Sequence, residues 1–199
     1  WNVVVRWGDP LTPGAPAFDV HNQSADRQAR QFGFNCDFVG WFPLPPFARN
    51  AVASEGKLSA DAGDRLLRGY PAMTRKAVKR SLLVVNHEYT SGTEMFPGYD
   101  AAAPTEPQVR VEIEAHGCSI VEICRTPAGG EEFIKDSPFN RRITGSTSIA
   151  ISGPLRGDPR LATGYAPHGG HVRGMLNNCS GGKTPWGTVL TCEENFDQY

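Results

Sequence analysis

The sequence predicts an all-β, loop-rich fold, and three observations carry that prediction. Its 199 residues include 22 Gly and 16 Pro, enough turn formers to cut the chain into short segments. The apolar runs between those turns are short and several alternate with period 2, the spacing of a strand half-buried on one face. The third is an internal echo: LVVNHEY at 83–89 and VLTCEEN at 189–195 both run from apolar to polar and place a glutamate second from last. A repeated β architecture puts Glu88 and Glu194 at comparable strand ends, and strand ends from different repeats converge on one site.

Taken in order, residues 1–23 are polar and turn-rich, and 24–31 predict a short helix capped by Ser24 or Asp26. Residues 32–44 gather Phe32, Phe34, Phe38, Trp41 and Phe42 before Pro43, Pro45 and Pro46, which predicts an aromatic-packed strand ended by prolines. Residues 48–80 read as loops with at most a short helix, and the basic run Arg75, Lys76, Lys79 and Arg80 as a solvated face. From Ser81 a strand places Leu82, Val84, Asn86 and Glu88 on one side and Leu83, Val85, His87 and Tyr89 on the other. Residues 109–115 and 118–125 read as two strands joined by a hairpin at His116-Gly117, 142–152 as a further strand and 187–194 as the last.

Composition excludes several classes of function. Lys and Arg number 20 and Asp and Glu 21, a formal charge of -1, so no large field draws the chain to nucleic acid or anionic lipid. No run reaches the roughly 20 apolar residues that span a bilayer. Five cysteines (Cys36, Cys118, Cys124, Cys179, Cys192) lack any C-x-x-C pair, which excludes a zinc ribbon or a thioredoxin motif. Cys118, Cys124 and Cys192 sit beside core-type neighbours and read as small buried hydrophobes; Cys179 alone lies among polar loop residues.

The chemistry concentrates at 176–195, LNNCSGGKTPWGTVLTCEEN. A thiol in a Gly-rich loop is followed by a strand ending in two carboxylates, a donor set that suits a borderline-soft metal at sulfur and harder ions at oxygen. Residue types alone leave Cys179 equally open to a turn with an incidental cysteine. Glu193 and Glu194 are adjacent on an extended segment and point to opposite faces, so one of them is favoured as a ligand. Glu88 ends an apolar strand in the same way, and Asn178 adds an amide oxygen beside Cys179. His87 alternates to the other face and reads as a structural histidine; His168 and His171 read as loop residues. Arg141 and Arg142 could grip a phosphate, although an ion pair is the simpler role, and Lys183 could help hold an anion. The phosphate-loop pattern fails because Asn177 stands where its first Gly belongs.

Six segments in order resemble the PhoX-type alkaline phosphatases: FGFNCDFVGWFPL at 32–44, LLVVNHEYT at 82–90, MFPGYD at 95–100, EAHGCSIVEI at 114–123, FNRRITGSTSIAISGPLRG at 139–157 and the Cys179 segment. The resemblance implies part of a β-propeller with loop and short-helix insertions, here 1–199 as an N-terminal-side portion that is catalytically incompetent alone. It also implies hydrolysis of small-molecule phosphate monoesters at ferric and calcium ions held by Cys179, Glu194, Glu88, Glu193 and Asn178. No Ser or Thr nucleophile is implied, and no catalytic residue is assigned. The same resemblance implies a monomer in the periplasm or secreted, exported by the twin-arginine route. Two rival readings are a calcium-stabilised propeller that binds a ligand without phosphatase activity, and a metal-dependent lactonase or esterase, which leaves Cys179 unexplained.

Overall fold

In the computed structural model, which describes residues 2–44 and 79–195, the apolar alternation after Lys79 becomes the central strand of the largest sheet. This strand, β2 (Arg80–His87), pairs antiparallel with β1 (Val39–Pro43) on one side and with β3 (Gly117–Arg125) on the other. The far edge of β3 is shared: β4 (Glu131–Phe133) runs beside its end and β5 (Arg141–Ile143) beside its start. The sheet is therefore four strands wide and antiparallel, the kind of unit that a β-propeller repeats as a blade. Two further hairpin-like pairs follow, β6 (Ser148–Ala150) with β7 (His171–Arg173), and β8 (Asn178–Lys183) with β9 (Val189–Glu193).

Period-2 alternation covers both faces of this sheet. Val85, Val121 and Ile123 pack with Leu11 and Phe32 from the N-terminal segment on one face, and Val84 and Cys118 pack with Phe42 on the other. The predicted N-terminal helix is α1 (Ala25–Gln28), with the Ser24 hydroxyl accepting from the Arg27 N–H. A short α2 (Gly92–Met95) follows β2. The aromatic strand expected over 32–44 is confined to β1, because Asn35 adopts a left-handed φ of 58° and the backbone leaves the extended path there.

Three expectations are corrected. Residues 109–115 are not a strand but the end of α3 (Glu106–Ala115). The alternation of Val109, Val111, Ile113 and Ala115 fits period 2, yet Val111 and Ala115 are also four apart. Helix-start chemistry decides: Gln108 reaches back to accept from the Thr105 N–H at 2.9 Å, and Pro107 lies in the first turn. Val111 and Ala115 then pack with Met95 and Phe96, while Val109 and Ile113 stay partly exposed. The strand expected over 142–152 is broken into β5 and β6 by a turn in which the Thr144 N–H donates to the Thr147 hydroxyl at 2.9 Å. Cys192, expected in the core, is exposed, whereas Cys118 is buried and burial pushes its thiol up to about 11.

The expectation of loops over 48–80 lies outside the described residues up to 78, as do Arg75 and Lys76. Arg80 is not a solvated charge: it pairs at 2.5 Å with Glu122, which is fully buried. Among the described residues all five cysteines are free thiols, and no helix is long and apolar enough to cross a membrane.

Arg142, weighed above as a phosphate ligand, has a structural role. Its guanidinium donates to the carbonyls of Glu114, His116, Cys118 and Ile143 at 2.6–3.2 Å, tying the end of α3 to β3 and β5. The Glu114 and His116 carbonyls are among those that a helix C-terminus otherwise leaves unpaired, and burial lowers the Arg142 pKa to about 10. We expect Arg142→Met to cost at least about 3 kcal/mol in urea denaturation, since several buried acceptors lose their donor together, against about 0.5 kcal/mol for exposed Arg141→Met.

His116 is buried beside this junction and donates from Nδ1 to the Glu112 carbonyl at 2.8 Å. Burial holds its pKa below the ordinary 6.5, assisted by the Arg142 charge and opposed by the Glu112 carbonyl and carboxylate. With a folded pKa below the unfolded one, its contribution is complete above the unfolded value and is lost as pH falls. Stability should therefore drop on acidification from about pH 7 to 5 by up to about 1.4 kcal/mol per pH unit for this group. His116→Asn should flatten that slope when urea midpoints are compared across the range.

Candidate metal centre

The site is assembled by what happens at the end of β2, where Asn86, His87 and Glu88 act in three different directions. Asn86 is fully buried, and its Nδ2 donates to the Cys179 and Ser180 carbonyls, each at 3.2 Å, and to the Thr191 hydroxyl at 2.9 Å. One amide thereby fixes the start of β8 and the middle of β9 against β2. Backbone bonds extend the junction: Asp37 N–H donates to the Asn86 carbonyl, Phe38 N–H to the Cys179 carbonyl, and Glu194 N–H to the Asn177 carbonyl. Asn177 takes a left-handed φ of 50°, which turns the chain into β8 and sets the orientation of Cys179 two residues later.

These constraints bring Glu88, Cys179 and Glu194 together, with one potential ligand atom from each lying within 4.8 Å of the others. Ligands bound to one cation at about 2.0–2.6 Å lie within about 5 Å of one another, so the spacing suits a shared ion. The Cys179 thiol donates to Glu194 Oε2 at 2.7 Å, and this bond is the main reason that its pKa is raised. Glu88 is also raised from the usual carboxylate range, by burial first, then by the Asp37 side chain that hydrogen-bonds it, and by the charges of Asp37 and Glu194; Asn35 opposes the shift. Both shifts disfavour the charged forms of crowded acidic groups, a repulsion that a cation offsets.

The donor set fits such a cation. Cys179 offers a soft sulfur and Glu88 and Glu194 offer hard oxygens. The buried Oδ1 atoms of Asn86, Asn177 and Asn178 have no hydrogen-bond partner among the described residues. Buried amide oxygens of this kind are ready acceptors for an ion or an ordered water.

Of the predicted residues, Cys179, Glu88 and Glu194 meet, as the echo of the two strands required. Asn178 is buried next to Cys179 and donates from Nδ2 to Thr191 Oγ1 at 3.0 Å. Glu193 is elsewhere, accepting from the Leu176 N–H at 2.8 Å, as strand alternation demands of neighbouring side chains. His87 is satisfied on both ring nitrogens, His168 lies in a turn and His171 opens β7. Lys183 donates to the Trp41 carbonyl at 2.8 Å and lies over the Phe42 ring, so it braces β1 rather than an anion. Asp37 was missed. Its position beside Glu88 comes from an irregular turn some fifty residues away in sequence, which no local periodicity encodes.

The fold is thus an antiparallel β protein in which a thiol and two carboxylates meet where the end of β2 approaches the β8–β9 pair. The family model described as Alkaline phosphatase PhoX matches residues 1–199, and the chain belongs to that family. Among solved structures it is similar to Pseudomonas fluorescens PhoX in complex with vanadate, a transition state analogue, at 34% identity and a TM-score of 0.75. The match covers 98% of this chain and 28% of that one, so the chain spans just over a quarter of its relative's length. A comparison with curated proteins finds no match.

If Asn86 holds the junction, Asn86→Asp should cost at least about 2 kcal/mol in urea, because a carboxylate then faces two carbonyls that had shared a donor. The same change should speed the reaction of Cys179 with a thiol reagent, measured against a Cys36→Ser, Cys192→Ser background that removes the two exposed thiols.

Proposed function

We propose that the protein belongs to a phosphomonoesterase acting on small-molecule phosphate esters, with iron and calcium as the metals of its centre. The observation that carries this reading is the meeting of Glu88, Cys179 and Glu194 within 4.8 Å in a chain of the PhoX family. In this reading Cys179 supplies the thiolate that selects iron, and Glu88, Glu194 and the unpartnered amide oxygen of Asn178 supply the harder contacts. When bound, such cations neutralise the charge of a phosphate ester and polarise it toward attack by water.

The chain's own residues prepare the centre for that task. Cys179 must lose its proton to act as a ligand, and Glu194, which accepts from it at 2.7 Å and is itself exposed, is placed to pass that proton on to solvent and remain a carboxylate. Cys179, expected in a loop, lies near the start of β8 and is half-buried, and Asn86 holds its carbonyl, so the sulfur is positioned by a strand that a buried amide anchors. Asp37 supports Glu88 from the opposite strand end. A calcium-only binding module leaves this thiol without a task, since calcium takes oxygen ligands. The wider reading includes a monomeric protein of the periplasm or cell exterior, exported by the twin-arginine route.

Cys179→Ser in the full-length protein should lower bound iron and p-nitrophenyl phosphate hydrolysis together, each by at least about tenfold. Wild-type levels of both in that variant would overturn the assignment. Calcium without iron in the wild-type protein would favour the binding module.

A further inference from the structure

Of the three consecutive residues at the end of β2, His87 is the one that the reading above leaves without a role. It is fully buried. Its Nδ1 lies 2.7 Å from the Asn35 carbonyl and its Nε2 lies 2.7 Å from the Ser119 hydroxyl. A carbonyl can only accept, so Nδ1 carries the proton and Nε2 accepts from Ser119, which fixes one neutral tautomer. The edge of the Phe32 ring packs on the imidazole at 4.7 Å between centroids.

Packing alone does not account for what the histidine holds. Its partner is the carbonyl of a residue in the left-handed region, Asn35 at φ 58°, a conformation that non-glycine residues adopt at a cost. That turn is the one that delivers Asp37 against Glu88. The Asn35 side chain reinforces it, accepting from the Cys36 N–H at 2.6 Å. The approach is so close that a Cβ on Gly33 would lie 2.5 Å from the imidazole and 2.6 Å from the Ala115 carbonyl. His87 also immediately precedes Glu88 in the chain, so one imidazole governs the two carboxylates from both sides.

We infer that His87 is a positioning residue: its Nδ1–H, anchored by Ser119, holds the Asn35 turn so that Asp37 and Glu88 are set for the metal centre. The inference rests on the metal reading of Glu88, Cys179 and Glu194. It assigns His87 no contact with substrate or metal, only with the backbone that orients a ligand and its neighbour, a relation that tunes metal affinity in other sites by 10–100-fold.

Two substitutions separate this role from a merely structural one. Asparagine places an amide N–H near the position of Nδ1 and retains the bond to Asn35, whereas glutamine reaches the position of Nε2 and retains Ser119 instead. The full-length protein, stripped of metal, is titrated with cobalt(II) alone, following the thiolate charge-transfer band of Cys179, and its thermal midpoint without metal is recorded. His87→Gln should weaken cobalt affinity by at least about tenfold while His87→Asn stays within about threefold of wild type, although both lower the metal-free midpoint. Ser119→Ala should lower the midpoint with little change in affinity. Equal affinities for the asparagine and glutamine variants, or affinities that follow the midpoints, would overturn the inference. If the wild-type protein itself shows no cobalt–thiolate band, the metal reading fails and this inference with it; if it does and the two variants match, the inference alone fails.

Discussion

The buried amide of Asn86 is the interaction on which the rest of the site depends. Its three donated hydrogen bonds join β2 to both strands of the β8–β9 pair. Those two sheets share no continuous ladder. In a buried setting each of these bonds is worth more than on the surface, and the cost of leaving any one partner unpaired is larger still. The junction is therefore specific: a residue without two N–H groups at position 86 cannot satisfy two carbonyls and a hydroxyl at once. Glu88 and Cys179 lie far apart in sequence, and this amide makes their spacing a property of the fold.

Around that anchor the protein places groups that repel one another. Asp37 and Glu194 press their charges on Glu88, Glu194 also accepts from the Cys179 thiol, and both Glu88 and Cys179 are raised, the direction that avoids accumulating negative charge. Such an arrangement opposes stability when the site holds protons only, and becomes favourable when a multivalent cation supplies the missing charge. The chain holds these groups in place by backbone bonds, the left-handed turns at Asn35 and Asn177, and a histidine satisfied on both nitrogens. Pre-organisation of this sort leaves little rearrangement to accompany metal binding.

The sequence made the strands of this fold legible where one periodicity had no competitor. β2 and β3 were visible because their apolar residues continue over the full strand length and both faces are covered. Residues 109–115 were misread because alternating Val and Ile serve a helix as well as a strand when the spacing includes i and i+4, and the deciding signal, Thr105 with Gln108 and Pro107, lies just upstream. The candidates Glu88 and Glu194 were legible from strand-end position, and Cys179 from its polar, Gly-rich neighbours and the family signature, although those neighbours form β8 and not the loop they suggest. Asp37 and the clamp by Asn86 were not, since each depends on partners brought together by tertiary pairing. The roles of Arg142 and Lys183 were hidden for the same reason: a cation that serves backbone carbonyls looks, in sequence, like one that serves a ligand.

The most direct test of the shared centre is anomalous diffraction from crystals of the full-length protein, collected at the iron edge. The account predicts a peak within about 2.6 Å of the Cys179 sulfur and of a carboxylate oxygen from both Glu88 and Glu194. Iron bound elsewhere, with the Cys179 sulfur still donating to Glu194, would contradict it.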